Sequence, residues 1–220
     1  MNRSSLLMSL SGVFVASVVL SNAVSANIIT VGPFTMAAGA LLYPILFLIT
    51  DVISEVFGKK KAQIVVATGF VAQVIAVLFV QFVALWDPVD SAIGEAWSTV
   101  FLPMWRIAAG SMIAYLVAQT IDVHLFHRLK EKTNGRYLWL RNNISTIVSQ
   151  AIDTLIFVTV AFFGVVSDGD FVSICLGQYS IKVIIAILDT PLCYLAVALI
   201  SSNLPKNQFV GWLDRNSDEY

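Results

Sequence analysis

Tyr43-Pro-Ile-Leu-Phe-Leu-Ile-Thr-Asp-Val-Ile-Ser-Glu-Val-Phe-Gly-Lys-Lys-Lys61 opens as an unbroken apolar run and closes with two carboxylates, a glycine and three lysines. The apolar part has the character of a membrane segment, and the lysines mark its cytoplasmic end. Asp51 and Glu55 are four residues apart, so on a helix they share one face, one turn above the other. A charge at the centre of a bilayer costs about 2.5–3.5 kcal/mol on insertion scales, so a carboxylate held there faces a cavity or a partner and marks function. The bland alternative sets Glu55 at the headgroup boundary beside the lysines, where it serves topology alone.

Composition carries the same reading outward. The chain of 220 residues is 58% hydrophobic and only 12% charged, against about 25% charged in a soluble domain. Its mean hydropathy is +0.82. These values describe an all-α, polytopic membrane protein. The net charge of −1 says nothing about partners, because the charges are sorted by side of the membrane rather than summed. Cys175 and Cys193 lie in apolar segments without metal-ligand spacing and read as small buried hydrophobes. His124 and His127 stand three apart with no further ligand to complete a site, so no metal and no other cofactor is expected.

A spanning helix needs about 20 mostly apolar residues. Six stretches qualify: 6–29, 34–57, 62–86, 104–126, 144–166 and 171–201. They are expected to form one compact six-helix domain over 1–220, with Pro191 a candidate kink in the long last span. Six spans put both termini on one side. On that side fall Arg3, Lys59, Lys60, Lys61, Arg128, Lys130, Lys132, Arg136, Arg141, Lys206 and Arg215; only Arg106 and Lys182 remain elsewhere. The positive-inside rule therefore places both ends in the cytoplasm, and Trp86, Trp97 and Trp105 cluster where an interfacial aromatic belt would sit. Arg3, the apolar run after it and Val24-Ser25-Ala26 mimic a cleaved signal. Asn22, Ser25 and Asn27 argue for retention, since they give the end of this segment polar groups that a bundle interior uses. No nucleotide-binding lysine motif is present, so any energy source is an ion gradient or a separate ATPase.

Chemistry concentrates in the fourth, fifth and sixth spans. Arg106, Gly110, Ala114, Ala118 and Asp122 recur every four residues, and the small residues allow close helix packing. Gln119-Thr-Ile-Asp122 is echoed by Gln150-Ala-Ile-Asp153 in the next, oppositely directed span, as a remnant of an inverted repeat would be, or by chance. Asn142, Thr146, Ser149, Gln150, Asp153 and Phe157 form a polar stripe. Asp153 is twelve residues in from Arg141, about 18 Å at helical rise and so near the midplane. Asp189 reaches a similar depth, and Lys182 lies on about the same face, so an ion pair of Lys182 with Asp153 or Asp189 is a structural alternative to a functional role. Taken together, Asp51, Glu55, Gln150, Asp153 and Asp189 describe a polar centre. Carboxylates accept, while amides both donate and accept, so the centre suits a small polar or cationic solute, including a guanine-type base.

Two motifs then resemble a known family. Pro44-Ile-Leu-Phe47, Thr50-Asp51 and Glu55-Val-Phe-Gly58-Lys-Lys, followed by Arg141-Asn-Asn and Ser149-Gln150-Ala-Ile-Asp153-Thr154 with Phe157, are similar to the signature of the queuosine precursor transporters, a branch of the vitamin uptake transporter group. The resemblance covers nearly the whole chain. It implies import of 7-cyano- and 7-aminomethyl-7-deazaguanine across the bacterial inner membrane for tRNA modification, without enzymatic chemistry and without nucleic acid as a partner. Asp51, Glu55, Gln150 and Asp153 match the motif; with Asn22 they are the expected substrate contacts. Lys182, Asp189, Arg141 and Asp122 are the expected coupling or gating residues. A homodimer in the lipid bilayer is expected, with the coupling ion unspecified. One rival is the substrate-binding membrane subunit of an ATPase-driven vitamin uptake system. Another, an intramembrane aspartyl hydrolase, lacks its Gly-x-Gly-Asp pattern, since Ser167-Asp-Gly-Asp170 carries serine first.

Overall fold

The computed structural model describes residues 3–133 and 138–202; within them, side chains including those of Glu55, Arg141, Asp189, His127 and Cys193 lie outside the described set. The elements run α1 (Arg3–Val24), β1 (Ile28–Val31), β2 (Phe34–Ala37), a 3-10 turn (Ala38–Leu42), α2 (Tyr43–Phe57), α3 (Lys59–Val83), α4 (Ser91–Phe101), α5 (Met104–Lys132), α6 (Leu138–Phe162) and α7 (Asp168–Ser202). Among the described residues, five helical stretches are long and apolar enough to cross a membrane, and most of α2 falls in a shorter apolar one, Ala38–Ser54. Ile64, Val71, Ile75, Leu78, Phe79 and Phe82 turn an apolar face of α3 outward, as a lipid solvent requires. This is a multi-pass membrane protein.

Two stretches depart from the expected spans. Residues 28–37, expected to belong to the first two spans and the link between them, form an antiparallel hairpin pairing Ile28 with Ala37 and Val31 with Phe34. Its two-residue turn is Gly32-Pro33, and Gly32 has φ +58°, the left-handed conformation a tight hairpin turn needs at that position. The expected external loop after the third span holds α4, whose N-terminus is capped by Asp90 accepting from Ala92 N and Ile93 N.

The chain divides into two compact units. The first comprises most of α1, α2, most of α3 and the second half of α7. Ile49, Val52, Ile53 and Val56 of α2 pack with Leu6, Phe14 and Val65 into its core, at the spacing of one helical stripe. Gly58, with φ +92°, ends α2 and donates its N–H to Ser54 O at 3.0 Å. Arg3 Nη2 donates to Val56 O at 2.6 Å, and the Arg3 and Lys61 cations stand 5.3 and 5.8 Å from the Phe57 ring centroid. The basic end of the opening stretch is thus a fastened turn, with cations at the negative end of the helix dipole.

The second unit holds the hairpin, α4, α5, α6 and the first half of α7. Ile107, Ala114, Phe157, Val158, Ala161, Phe162 and Ile174 form its core. The four-residue ladder on α5 faces α6 along its length. At one end Arg106 donates to Val160 O at 3.2 Å and to Phe163 O at 3.0 Å. A side chain at Gly110 would meet Phe157 O at 3.2 Å, and Ala114 and Ala118 are buried. At the other end Asp122 accepts from Ser149 Oγ at 3.3 Å. Rising numbers on α5 meet falling numbers on α6, so the two helices are antiparallel. Small residues let the backbones approach, and the polar ends fix the register.

Candidate functional site

The polar stripe on α6 divides by direction. Ser149 turns toward α5 and Asp122, and also donates to Thr146 O at 3.0 Å. Thr154 is buried and donates to Gln150 O at 2.9 Å, a bond that satisfies the hydroxyl within the helix. Asp153 turns toward α7, where Lys182 Nζ donates to its Oδ2. Lys182 is 2% exposed, so the ammonium is a buried charge, and its partner carboxylate is 19% exposed. Of the two partners the sequence left open for Lys182, Asp153 is engaged, and the side chain of Asp189 lies outside the described residues.

Depth follows from position along the helices. Asp153 lies nine residues before the end of α6 at Phe162, and Lys182 fourteen after the start of α7 at Asp168. At helical rise these are about 14 and 21 Å from the same end of the unit, well inside a hydrocarbon layer of about 30 Å. Each group supplies the counter-charge of the other, which offsets the cost of placing a charge at this depth.

Amides accompany the pair. Gln150, one turn before Asp153, carries a buried Oε1 with no hydrogen-bond partner. Gln178, one turn before Lys182, is 0% exposed, and neither Oε1 nor Nε2 has a partner. The sequence reading did not single out Gln178; its four-residue offset from Lys182 was the available signal. Asn22 is buried in the same unit, beside the turn that leads from α1 to the hairpin. The stretch 167–170 resolves as a helix cap: Ser167 Oγ donates to Asp170 Oδ2 at 2.6 Å and accepts from Asp170 N at 3.2 Å.

In the first unit, Asp51 is exposed, on the face of α2 opposite the buried stripe of Ile49, Val52, Ile53 and Val56. The side chains of Glu55, Asp189 and Arg141 lie outside the described residues. This unit also buries Gln73 of α3 at 1% exposure with neither amide atom partnered, a second glutamine that the sequence reading passed over.

Apolar spans, a buried charge pair and unpartnered amides one turn from it on both helices suit a membrane transporter. The chain belongs to the family described as "Putative vitamin uptake transporter", whose model matches residues 37–196. It is 34% identical over 171 residues, 77% of this chain and 75% of the relative, to the "Probable queuosine precursor transporter" of Bacillus subtilis (strain 168). It is 30% identical over 158 residues, 68% of this chain and 67% of the relative, to the "Queuosine precursor transporter" of Escherichia coli (strain K12). A Haemophilus influenzae relative named "Probable queuosine precursor transporter" is 29% identical over 126 residues, 57% of this chain and 51% of its own. No solved structure matches.

Proposed function

We propose that this protein imports the queuosine precursors 7-cyano- and 7-aminomethyl-7-deazaguanine across the bacterial inner membrane. It does so as a single six-helix domain with both termini cytoplasmic, assembled as a homodimer. The names of the relatives support the solute class. The observation that carries the chemistry is the buried Asp153–Lys182 pair near mid-span, with glutamine amides one turn away on both helices.

Asp153 and Gln150 take the polar groups of the solute in this reading, with Asn22 as a further contact in the same unit. Lys182 gates: its ammonium holds Asp153 until the solute takes over the carboxylate, and a cationic aminomethyl group is the natural competitor. Asp122, Arg141 and Asp189 act in coupling. Asp51 and Glu55 enter as solute contacts from their motif and their shared helical face alone.

The test is rescue of queuosine in tRNA. Cells that neither make the precursor nor import it receive low external 7-deazaguanine and express the chain. Queuosine restored by the wild type and lost in Asp153→Asn and Asp51→Asn variants that reach the membrane supports solute and site together. Uptake and affinity unchanged in Glu55→Gln remove Glu55 from the site. No rescue by a well-expressed wild type makes the solute wrong, and ATP-dependent uptake with co-purifying ATPase subunits then favours the vitamin-subunit reading.

A further inference from the structure

Gln178 is the polar side chain for which the fold of its own unit supplies no use. It is completely enclosed, yet neither its Oε1 nor its Nε2 meets a partner. Buried amides between membrane helices ordinarily bond across the interface, and an unmade hydrogen bond in such a place destabilises the protein that carries it. Its surroundings are tightly built. The preceding residue, Gly177, lies so close to β2 that a side chain there would fall 2.1 Å from Thr35 O. The helix thus sits firmly against the hairpin, and the amide is held in a fixed environment.

Position then says what the amide is near. Gln178 precedes Lys182 by one turn on α7, and Gln150 precedes Asp153 by one turn on α6. A short turn joins α6 to α7, which makes neighbouring helices of this kind antiparallel. One turn back on each helix therefore runs in opposite directions, and at helical rise Gln178 and Gln150, about 15 and 18 Å from the same end, fall between the levels of Asp153 and Lys182. Gln178 lies ten residues into α7, about 15 Å from its start and at the middle of the span.

We propose that Gln178 is a solute-reading residue. Its Oε1 accepts the ring N–H, and its Nε2 donates to the adjacent carbonyl, of the lactam edge of a 7-deazaguanine. An amide supplies that acceptor and donor side by side, and the lactam edge presents the matching donor and acceptor. The inference rests on the deazaguanine reading above and adds a residue to it. Because Gln178 is wholly enclosed, the solute reaches it in a more open arrangement of this unit, which alternating access provides. The lactam edge is common to the cyano and aminomethyl forms, so Gln178 serves both alike.

The test uses the full chain, purified in detergent, with Gln178→Met and Gln178→Glu. Binding of 7-cyano- and 7-aminomethyl-7-deazaguanine is measured by calorimetry, and the melting temperature is taken without ligand. Gln178→Met is expected to melt at or above the wild-type temperature, because it removes an unsatisfied amide, and to bind both solutes at least about tenfold more weakly by a common factor. Gln178→Glu, which keeps an acceptor and loses the donor, is expected to weaken both solutes as well. A Gln178→Met protein that fails to fold or melts several degrees lower shows the amide to be structural and overturns the proposal. Unchanged affinity in Gln178→Met overturns it too, while leaving the deazaguanine reading intact. A wild type that binds neither solute overturns that reading and this inference with it.

Discussion

Lys182 and Asp153 set the terms at the scale of single residues. Each was visible in the sequence because a charge inside an apolar run stands out; the spacing put Asp153 near the midplane and Lys182 on about the face of Asp189. Which carboxylate Lys182 would choose was not visible, since Asp153 and Asp189 lay at similar depth and pairing depends on rotation of the helices. The amides Gln178 and Gln73 carry no charge to draw notice, and only burial without partners reveals them. Removing one member of a buried pair strands the other, at a cost of about 3–5 kcal/mol. Lys182→Met is therefore expected to lower the melting temperature in detergent strongly. Lys182→Met combined with Asp153→Leu is expected to recover most of that loss while remaining inactive in queuosine rescue. A double variant as unstable as the single would show that the pair does not act as a unit.

At the scale of elements, the long apolar helices were legible, while α4 and the hairpin were not. Ile28–Val31 and Phe34–Ala37 are apolar enough to be absorbed into flanking spans when hydropathy alone is read. The local chemistry said otherwise: β-branched residues lead to Gly32-Pro33, a two-residue turn signal. The α5 ladder was legible in full, because small residues at four-residue spacing announce a close helix contact. The hairpin's fit against α7 gives a sharp prediction. Gly177→Ala drives a methyl group into Thr35 backbone atoms at 2.1 and 2.7 Å, an overpacking expected to cost about 1–3 kcal/mol. Gly169→Ala, with nothing within 4 Å of the added carbon, is expected to melt like the wild type. Equal melting temperatures for the two variants would contradict the close approach of β2 and α7. Arg106 closes the other end of the α5–α6 contact through two carbonyls of α6. Arg106→Leu is expected to destabilise by about 1–3 kcal/mol, with Arg106→Lys intermediate because it cannot keep the forked geometry; thermal unfolding of the three proteins side by side checks the order.

Across the whole molecule, the distribution of charge argues for a topology that packing within either unit does not dictate. In the six-span arrangement expected from the sequence, eleven of thirteen Lys and Arg residues fall on one side. The other two have structural employment: Arg106 is bonded to the end of α6, and Lys182 is paired with Asp153. Neither is free to act as a topological signal, so the bias is more one-sided than the raw count suggests. The acidic and aromatic residues of the opposite side fit the same frame, with Asp87, Asp90 and Glu95 in and around α4, and Trp86, Trp97 and Trp105 partly or largely exposed nearby. The prediction is tested in a Cys175→Ala/Cys193→Ala background carrying one new cysteine at a time, in right-side-out membranes. Glu95→Cys is expected to react with a membrane-impermeant maleimide at once. Lys60→Cys in the first turn of α3, and Arg128→Cys near the end of α5, are expected to react only after permeabilisation. All three positions are exposed in the protein, so protection reports the membrane and not packing. Reaction of Lys60→Cys and Arg128→Cys from outside, with Glu95→Cys protected, would invert the topology. Reaction of Lys60→Cys and Arg128→Cys on opposite sides would mean that the number of crossings between them is odd, and the paired reading of α3 with α5 would fail.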